Sequence, residues 1–289
     1  MTAQGGTAPL DGAILDAHHH VWDLSVRDQD WITGPKMAPI RRNFSLDDLA
    51  PQAQAQGVTA TLVQTVTVAE ETPEFLALAE GSDLVAGVVG WTDLTRPDVA
   101  ETLAGLRAVP GGRHLVGIRH QVQGEDDPQW LMRTDVRRGL TAVADAGLVY
   151  DLLVLPHQLP ASVAVAAALP QLTFVLDHLG KPNIAAGDLE PWATQVKALA
   201  ALPNTVCKLS GMFESTWDSW TMDDLRPFAD TVLDAFGPSR VMFGSDWPVS
   251  TLAESYAVVV DTALRLTAHL SPAERAEIFA GTATRVYGL

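Results

Sequence analysis

The 289-residue chain is poor in cysteine and in long apolar runs. Its one cysteine is Cys207, so no internal disulfide can form, which fits a reducing cytoplasm. Residues 1–12 have neither the basic nor the apolar segment of a secretory signal, so we expect a cytoplasmic protein with a flexible N-terminus over residues 1–12. The most apolar stretches are short or interrupted by polar residues, Pro or Gly, and this excludes an evident membrane span.

Positive charge is also scarce. The chain has 19 Lys and Arg residues against 35 Asp and Glu residues, a net charge of −16. Such a surface repels phosphate backbones and anionic lipids, so neither nucleic acid nor a membrane is predicted as a partner. Both a monomer and a homo-oligomer remain open.

Short β-rich runs alternate with amphipathic helical stretches along the whole chain. Several runs are nearly continuous in Val, Ile and Leu, as parallel strands buried on both faces should be. The eight predicted strands cover residues 14–19, 59–67, 84–91, 115–122, 148–155, 172–178, 205–211 and 240–246.

The helices between them have readable ends. Ser45 is a predicted N-cap for a helix that stops at Gly57, and Thr72 is a predicted N-cap for one that stops at Gly81. Eight successive βα units predict an α/β fold, a single (β/α)₈ TIM barrel over residues 13–289. The alternative is a doubly wound sheet, but the nucleotide-binding fingerprints G-x-G-x-x-G and G-x-x-x-x-G-K-[ST] are absent.

Polar residues recur at the carboxyl ends of the predicted strands, where TIM barrels place their active sites. The candidates, in chain order, are Asp16, His18, His20, Trp91, Arg119, His120, His157, Asp177, His178, Lys181, Lys208, Ser210, Ser245, Asp246 and Trp247. A barrel without a site needs no such concentration, since buried polar groups are costly unless they are satisfied.

The first strand ends in three histidines, in the stretch ILDAHHHVWD. Side chains alternate faces along a strand, so His18 and His20 should share the barrel mouth while His19 points toward the helices. An H-x-H pair can present two imidazoles to one ion or one substrate atom. His178 read alone is equally a structural residue, and Asp246 before Trp-Pro is equally a turn cap.

Several motifs, taken in order, resemble the amidohydrolase superfamily in its amidohydrolase-2 branch. They are DAHHHVWD, GWTDL, LVGIRHQV, LDHLGKP, CKLSG, FGSDWPV and ATRVYGL. They look most like the group of sugar lactonases, of the L-fucono- and L-rhamnono-lactonase kind, and 2-pyrone-4,6-dicarboxylate lactonases. The resemblance covers residues 13–289 and implies a (β/α)₈ barrel with hydrolase activity.

The resemblance also implies a metal site. In metal-dependent relatives the H-x-H pair and the strand-eight Asp hold one divalent cation, and here these residues are His18, His20 and Asp246. Zinc is the expected ion, and metal-independent action is the alternative. A two-metal site is not expected, because strand four offers Arg119 instead of a bridging ligand and His157 lies past strand five.

The proposed reaction is the opening of a lactone ring by direct attack of water. No G-x-S-x-G elbow is present and Cys207 lies in mid-strand, so a covalent acyl-enzyme is not expected. Asp246 is the predicted general base, since an Asp with an ordinary pKa near 3.9 is ionised at neutral pH. His18, His20, His178 and Arg119 are predicted to stabilise the developing oxyanion, directly or through the ion.

The aromatic residues near the mouth favour a small neutral substrate, a sugar aldonolactone, over a pyrone dicarboxylate, which would need several Arg forks. Arg41 and Arg42 could also reach the mouth. The tryptophans near the predicted mouth are Trp22, Trp91, Trp217, Trp220 and Trp247, and they equally suit hydrophobic closure of the barrel. The predicted substrate-binding set is Trp22, Trp91, Lys181, Lys208, Trp247 and His157.

Two rival functions use the same barrel. A metal-dependent amide hydrolase or decarboxylase would use the same residues, so the motifs do not exclude it. A binding protein without activity would be expected to lack part of the polar set, and His18, His20, His178 and Asp246 are all present.

Overall fold

The computed structural model describes residues 12–65, 68–213 and 219–289. Eight parallel strands form one sheet in the order β1 to β8. Their bounds are β1 Ile14–His19, β2 Val58–Gln64, β3 Val85–Gly90, β4 Leu115–His120, β5 Val149–Leu152, β6 Phe174–Leu176, β7 Thr205–Leu209 and β8 Val241–Phe243. Residues 1–11 of the predicted flexible N-terminus and Trp217 lie outside the described residues.

The sheet closes between its first and last strands. Beyond the paired strands, the Asp246 amide donates to the His18 carbonyl at 2.8 Å and the His20 amide donates to the Trp247 carbonyl at 2.7 Å. The buried Asp16 carboxylate adds a side-chain link, accepting from the Ser245 amide at 2.8 Å and the Tyr256 hydroxyl at 3.0 Å. This closure brings the ends of β1 and β8 together.

Helices follow the strands and surround the barrel. Their bounds are α1 Gly34–Met37, α2 Leu46–Ala55, α3 Glu71–Glu80, α4 Val99–Ala108, α5 Thr134–Asp145, α6 Leu159–Ala168, α7 Trp192–Ala200, α8 Met222–Phe236, α9 Tyr256–Leu266, α10 Pro272–Ala276 and α11 Thr282–Tyr287, with a π-helical turn Glu277–Gly281 before α11. No helix within the described ranges has both the length and the apolar character to cross a membrane. The predicted (β/α)₈ barrel is confirmed.

One of the two predicted N-caps is present in the structure and the other is not. Ser45 caps α2, with Asp48 completing a capping box. The predicted cap at Thr72 is wrong, because α3 begins one residue earlier, at Glu71. The Thr72 hydroxyl instead bonds the backbone of Trp91, accepting from its amide at 2.9 Å, and so ties α3 to the end of β3.

Apolar packing divides into a barrel interior and a shell between sheet and helices. The interior cluster includes Leu15, Leu62, Val175 and Met242, all at most 6% exposed. The closing helix α11 adds Tyr287 to this cluster. In the interior, Tyr287 lies beside the charged residues Asp151 and Lys208.

Candidate active site

Two imidazoles meet at the end of β1. His18 is fully buried and His20, the first residue past the strand, is 5% exposed. Their Nε2 atoms lie 3.2 Å apart. Nδ1 of His20 donates to the Gln64 carbonyl at 3.0 Å, because a carbonyl can only accept. In neutral His20 the Nε2 lone pair therefore faces His18.

His19 points the other way, as strand alternation predicts. It is fully buried, and its Nε2 lies 3.0 Å from the Thr61 hydroxyl on β2. Burial lowers the pKa of His19 from 6.5 to about 4. A neutral His19 therefore packs behind the strand, away from His18 and His20.

His178 reaches the site from a left-handed turn after β6. Four successive residues, 178 to 181, have φ values of 53°, 57°, 73° and 53°. The chain leaves the strand here, which is why β6 ends at Leu176, before its predicted end at residue 178. His178 Nδ1 lies 2.9 Å from the Ser210 hydroxyl, and its ring centroid is 4.5 Å from that of His18.

Asp246 completes the group from β8. The strand stops at Phe243, short of its predicted end, and Asp246 itself has a left-handed backbone with φ of 57°. Its Oδ1 lies 3.7 Å from Nε2 of both His18 and His20 and 3.9 Å from Nε2 of His178. One carboxylate oxygen is thus surrounded by three imidazole nitrogens.

The histidines on β1 are held neutral. Burial lowers the pKa of His18 and of His20 well below 6.5, and the positive charges of Lys208 near His18 and of Arg119 near His20 act in the same direction. Both rings therefore offer a nitrogen lone pair at neutral pH.

Arg119 lies at the edge of this group, on β4. Its NH1 is 3.2 Å from both His18 Nε2 and Asp177 Oδ2, and its NH2 donates to the Thr65 carbonyl at 2.6 Å. The guanidinium is only 2% exposed, so it is fixed by these partners before any substrate arrives.

Lys208, predicted as a substrate-binding residue, lies inside the barrel and not on the wall of the cavity described below. Lys208 is fully buried in β7, with its Nζ 2.5 Å from Asp151 Oδ2, 2.9 Å from Asp177 Oδ1 and 3.3 Å from His18 Nδ1. The Tyr287 hydroxyl donates to Asp151, at 2.9 Å from both Oδ1 and Oδ2. The Lys208 ammonium, held by two carboxylates inside the barrel, does not reach the cavity. We call Asp151, Asp177, Lys208 and Tyr287 the interior network.

Opposing effects act on the two acids of the interior network. Burial opposes ionisation of Asp177, but the charge of Lys208, the contact with His18 and the charge of Arg119 hold its pKa well below 3.8. Burial raises the pKa of Asp151 despite the neighbouring ammonium. Asp177 is therefore the firmly ionised partner of Lys208.

A cavity of about 300 Å³ opens over the histidine–aspartate group. Its walls are formed by His20, Trp31, Met37, Arg119, Gln121, Gln123, Leu153, His178, Lys181, Asp246 and Val249. Within the described residues, Lys181 is the one member of the predicted substrate-binding set on these walls. The volume suits a ligand of one small ring.

The other predicted substrate-binding residues lie elsewhere. His157 is exposed in the helical turn Pro156–Gln158. The Trp91 indole donates to His120 Nδ1 at 3.1 Å. Trp22 and Trp247 are buried and pack edge-on against Phe44, at centroid distances of 5.4 and 5.3 Å. None of these three tryptophans is on the wall of the cavity.

Sequence reasoning missed most of the cavity wall. Trp31 and Met37 come from the long segment between β1 and α2, where no periodic pattern marks them. Gln121 and Gln123 follow β4 directly, so their position after a strand was an available signal. Arg41 and Arg42, which the sequence suggested could reach the mouth, are not on the cavity wall. Arg41 NH2 lies 3.0 Å from Asp28 Oδ1, and the Arg42 guanidinium carbon lies 3.8 Å from the centroid of the Phe44 ring.

The donor atoms suit one divalent cation. His18, His178 and Asp246 offer ligand atoms that lie within 4.8 Å of one another, and His20 Nε2 adjoins them. Imidazole nitrogen and carboxylate oxygen are preferred zinc ligands, and two such ligands on a tetrahedral zinc lie about 3.3 Å apart. The observed 3.2 Å and 3.7 Å separations between donor atoms are close to that spacing.

Residues 15–289 match the model of the amidohydrolase family. The chain belongs to this family. The resemblance predicted from the motifs is confirmed.

Several relatives cover nearly the whole chain. An L-fucono-1,5-lactonase of Burkholderia multivorans is 41% identical, with 96% of this chain and 97% of the relative aligned. An L-fucono-1,5-lactonase of Burkholderia ambifaria is 36% identical, with 94% of each aligned. A crystal structure of a Burkholderia multivorans amidohydrolase with bound zinc superposes with a TM-score of 0.90 at 38% identity, over 96% of this chain and 100% of that one.

Proposed function

We propose that this amidohydrolase opens the ring of a lactone, specifically a neutral sugar aldonolactone, by hydrolysis. The observation that carries the proposal is the Asp246 carboxylate held within 3.9 Å of three imidazole nitrogens at the floor of a small cavity. The L-fucono-1,5-lactonases that align over nearly the whole chain support the same reaction.

The reaction begins with water placed between Asp246 and the lactone carbonyl carbon. Asp246 accepts a proton from this water while the oxygen bonds to the carbonyl carbon. The ring C–O bond then breaks, and the leaving alkoxide takes the proton from Asp246. The products are a hydroxy acid and the regenerated carboxylate, so Asp246 acts first as base and then as acid.

Negative charge grows on the carbonyl oxygen during the attack. Arg119 lines the cavity with a guanidinium already fixed by Asp177 and Thr65, so it meets this charge without reorganising. His178 also faces the cavity beside Asp246. A bound cation would polarise the carbonyl or the water. We propose that this ion, where present, is zinc, held by His18, His20 and Asp246.

The cavity favours a neutral ring over a dicarboxylate. Its cationic side chains among the described residues are Arg119, already bonded to Asp177, and Lys181. Two carboxylates would call for two Arg forks. Gln121 and Gln123 suit hydroxyl groups, while Trp31, Met37, Leu153 and Val249 suit the C–H faces of a sugar.

Ring opening releases a proton at neutral pH, so a pH-indicator assay tests the function directly. The assay compares L-fucono-1,5-lactone, other aldonolactones, a pyrone dicarboxylate and simple amides, each with EDTA and with added zinc. We expect turnover of one or more aldonolactones above the spontaneous rate, and none of the amides.

Loss of lactone turnover in every condition would contradict the proposal. Turnover confined to amides, with zinc required, would instead support the rival amide hydrolase. The Asp246→Asn protein serves as the matched control, because it keeps the cavity shape and removes the proposed base.

We also propose a partner and a cellular compartment for the enzyme. The partner is a small lactone, and the compartment is the cytoplasm, where the single thiol of Cys207 stays reduced.

A further inference from the structure

His18 is held from behind by two groups of opposite charge. Its Nδ1 lies 3.3 Å from the ammonium of Lys208 and 3.5 Å from Asp177 Oδ1. We propose that Lys208 and Asp177 are positioning residues that let His18 exchange its ring proton between Nε2 and Nδ1, so that one site accommodates both the metal-free and the metal-bound state. The proposal rests on the proposed function for the role of His18 and His20 as metal ligands, but the key measurement needs neither lactone nor turnover.

Without an ion, the contacts favour a proton on Nε2 of His18. Lys208 has three N–H bonds, and its three neighbouring acceptors are Asp151, Asp177 and His18 Nδ1. Because His20 uses its Nδ1 proton on the Gln64 carbonyl, its Nε2 is an acceptor, 3.2 Å from His18 Nε2. His18 then accepts from Lys208 and donates to His20.

The opposite tautomer has more conflicts in the metal-free site. A proton on Nδ1 would face an N–H of Lys208 at 3.3 Å, and the lone pairs of His18 and His20 would meet at 3.2 Å. Its gains are a bond from Arg119 to Nε2 at 3.2 Å and a long contact to Asp177 at 3.5 Å. With its proton on Nε2, His18 has two hydrogen bonds, from Lys208 and to His20, and one conflict, with an N–H of Arg119, so this tautomer is favoured.

An ion changes this balance. A cation between His18 and His20 requires the lone pairs of both Nε2 atoms, so the His18 proton must be on Nδ1. Asp177 Oδ1 would be the acceptor for that proton, and Lys208 would keep its hydrogen bond to Asp151 and its ion pair with Asp177. The proton lost from Nε2 is balanced by the proton gained on Nδ1, so the charge of His18 does not change.

Nitrogen-15 spectroscopy of the histidine rings tests the exchange in the unaltered protein. Two-bond proton–nitrogen correlations distinguish the two tautomers, and the missing signals of His18→Asn assign His18 among the eight histidines. We expect Nε2–H in the EDTA-treated protein and Nδ1–H after addition of zinc. An Nδ1–H pattern in the EDTA-treated protein would overturn the proposal, as would a pattern that zinc leaves unchanged.

Lys208→Met removes the donor and leaves Asp177 as the acceptor. We expect Nδ1–H before zinc is added, and zinc binding tighter by about tenfold in a chelator competition, the lower end of effects from residues behind metal ligands. Tyr287→Phe is the matched control, because it removes a hydrogen bond to Asp151 but leaves Lys208, Asp177 and His18 themselves in place. It should change neither the tautomer nor the zinc affinity.

The variants distinguish an effect of Lys208 on the His18 tautomer from simple electrostatic repulsion between Lys208 and the ion. Tighter zinc binding with His18 still protonated on Nε2 would mean that Lys208 acts only by repelling the ion, and would overturn its assigned role. A lactonase-inactive protein that still exchanges its His18 proton would refute the proposed function and leave this inference standing.

Discussion

Asp246 combines a left-handed backbone with the only carboxylate on the cavity wall among the described residues. Asn accepts left-handed φ values as readily as Asp, so Asp246→Asn should keep the local backbone while removing the base. We expect turnover of the lactone to fall by at least about 100-fold, the usual loss for a general base. Steady-state kinetics in the pH-indicator assay measure the change.

Stability of the same variant provides the control. The melting temperature of Asp246→Asn should stay near that of the parent protein, because Asn has the shape of Asp and accepts the same left-handed φ. Retention of more than about a tenth of the turnover would exclude Asp246 as the essential base.

Three consecutive histidines should respond differently to truncation. His19→Ala removes a fully buried ring bonded to Thr61, so we expect it to lower the free energy of unfolding by about 2–4 kcal/mol and to leave most turnover. His18→Ala and His20→Ala should instead abolish turnover. Urea unfolding and kinetics on all three variants test this contrast.

Thr61→Val is the matched control for His19. It removes the hydroxyl partner at nearly constant volume and should destabilise the protein by about 1–2 kcal/mol, less than His19→Ala. Equal loss of turnover in His19→Ala and His18→Ala would show that the alternation along β1 does not decide function.

At the level of elements, the sequence was most informative where a strand is continuous and ends in polar residues. The predicted bounds of β1, Ile14–His19, match the structure, and the mouth positions of His18 and Asp246 followed from parallel strands ending at one edge. Strands β6 and β8 were predicted too long, because left-handed residues at His178 and Asp246 end them early and φ cannot be read from residue type there.

The interior network was beyond sequence reasoning for a different reason. Asp151 and Lys208 lie on β5 and β7, Asp177 directly follows β6, and each alone is as consistent with the mouth as with the interior. Their pairing depends on the register between β5, β6 and β7. The tryptophans were ambiguous for the same reason, since packing partners such as Phe44 are distant in sequence.

The left-handed turn after β6 places a glycine between two residues of the cavity wall. Gly180 has φ of 73°, and a Cβ there would lie 3.2 Å from Leu159. Gly180→Ala should destabilise the protein by about 1–2 kcal/mol and reduce turnover, because His178 and Lys181 flank it in the same turn. Urea unfolding and kinetics measure the two effects.

Gly147 is the matched control for that turn. It has φ of 66° after α5, and a Cβ there would meet nothing within 4 Å. Gly147→Ala should show a backbone cost similar to that of Gly180→Ala but retain full turnover. If both variants lose turnover equally, the left-handed turn has no special part in aiming His178.

At the scale of the whole molecule, Cys207 provides one internal reporter of barrel opening. Its thiol is fully buried in β7, and burial raises its pKa. The reactive thiolate is therefore scarce in the folded protein and returns to an ordinary level on unfolding. We expect the native protein to resist thiol reagents, and the labelling rate to rise with urea in parallel with unfolding measured by tryptophan fluorescence.

A ligand that binds only the folded barrel must slow this labelling. Stabilisation by a ligand at 100 times its dissociation constant is about 2.7 kcal/mol, which lowers the open fraction about 100-fold. Zinc should therefore slow the labelling of Cys207 in the parent protein and not in His18→Ala, although Cys207 and His18 are far apart in the sequence. Rapid stoichiometric labelling without urea would mean that β7 opens locally, and the reporter would then describe one strand instead of the whole barrel.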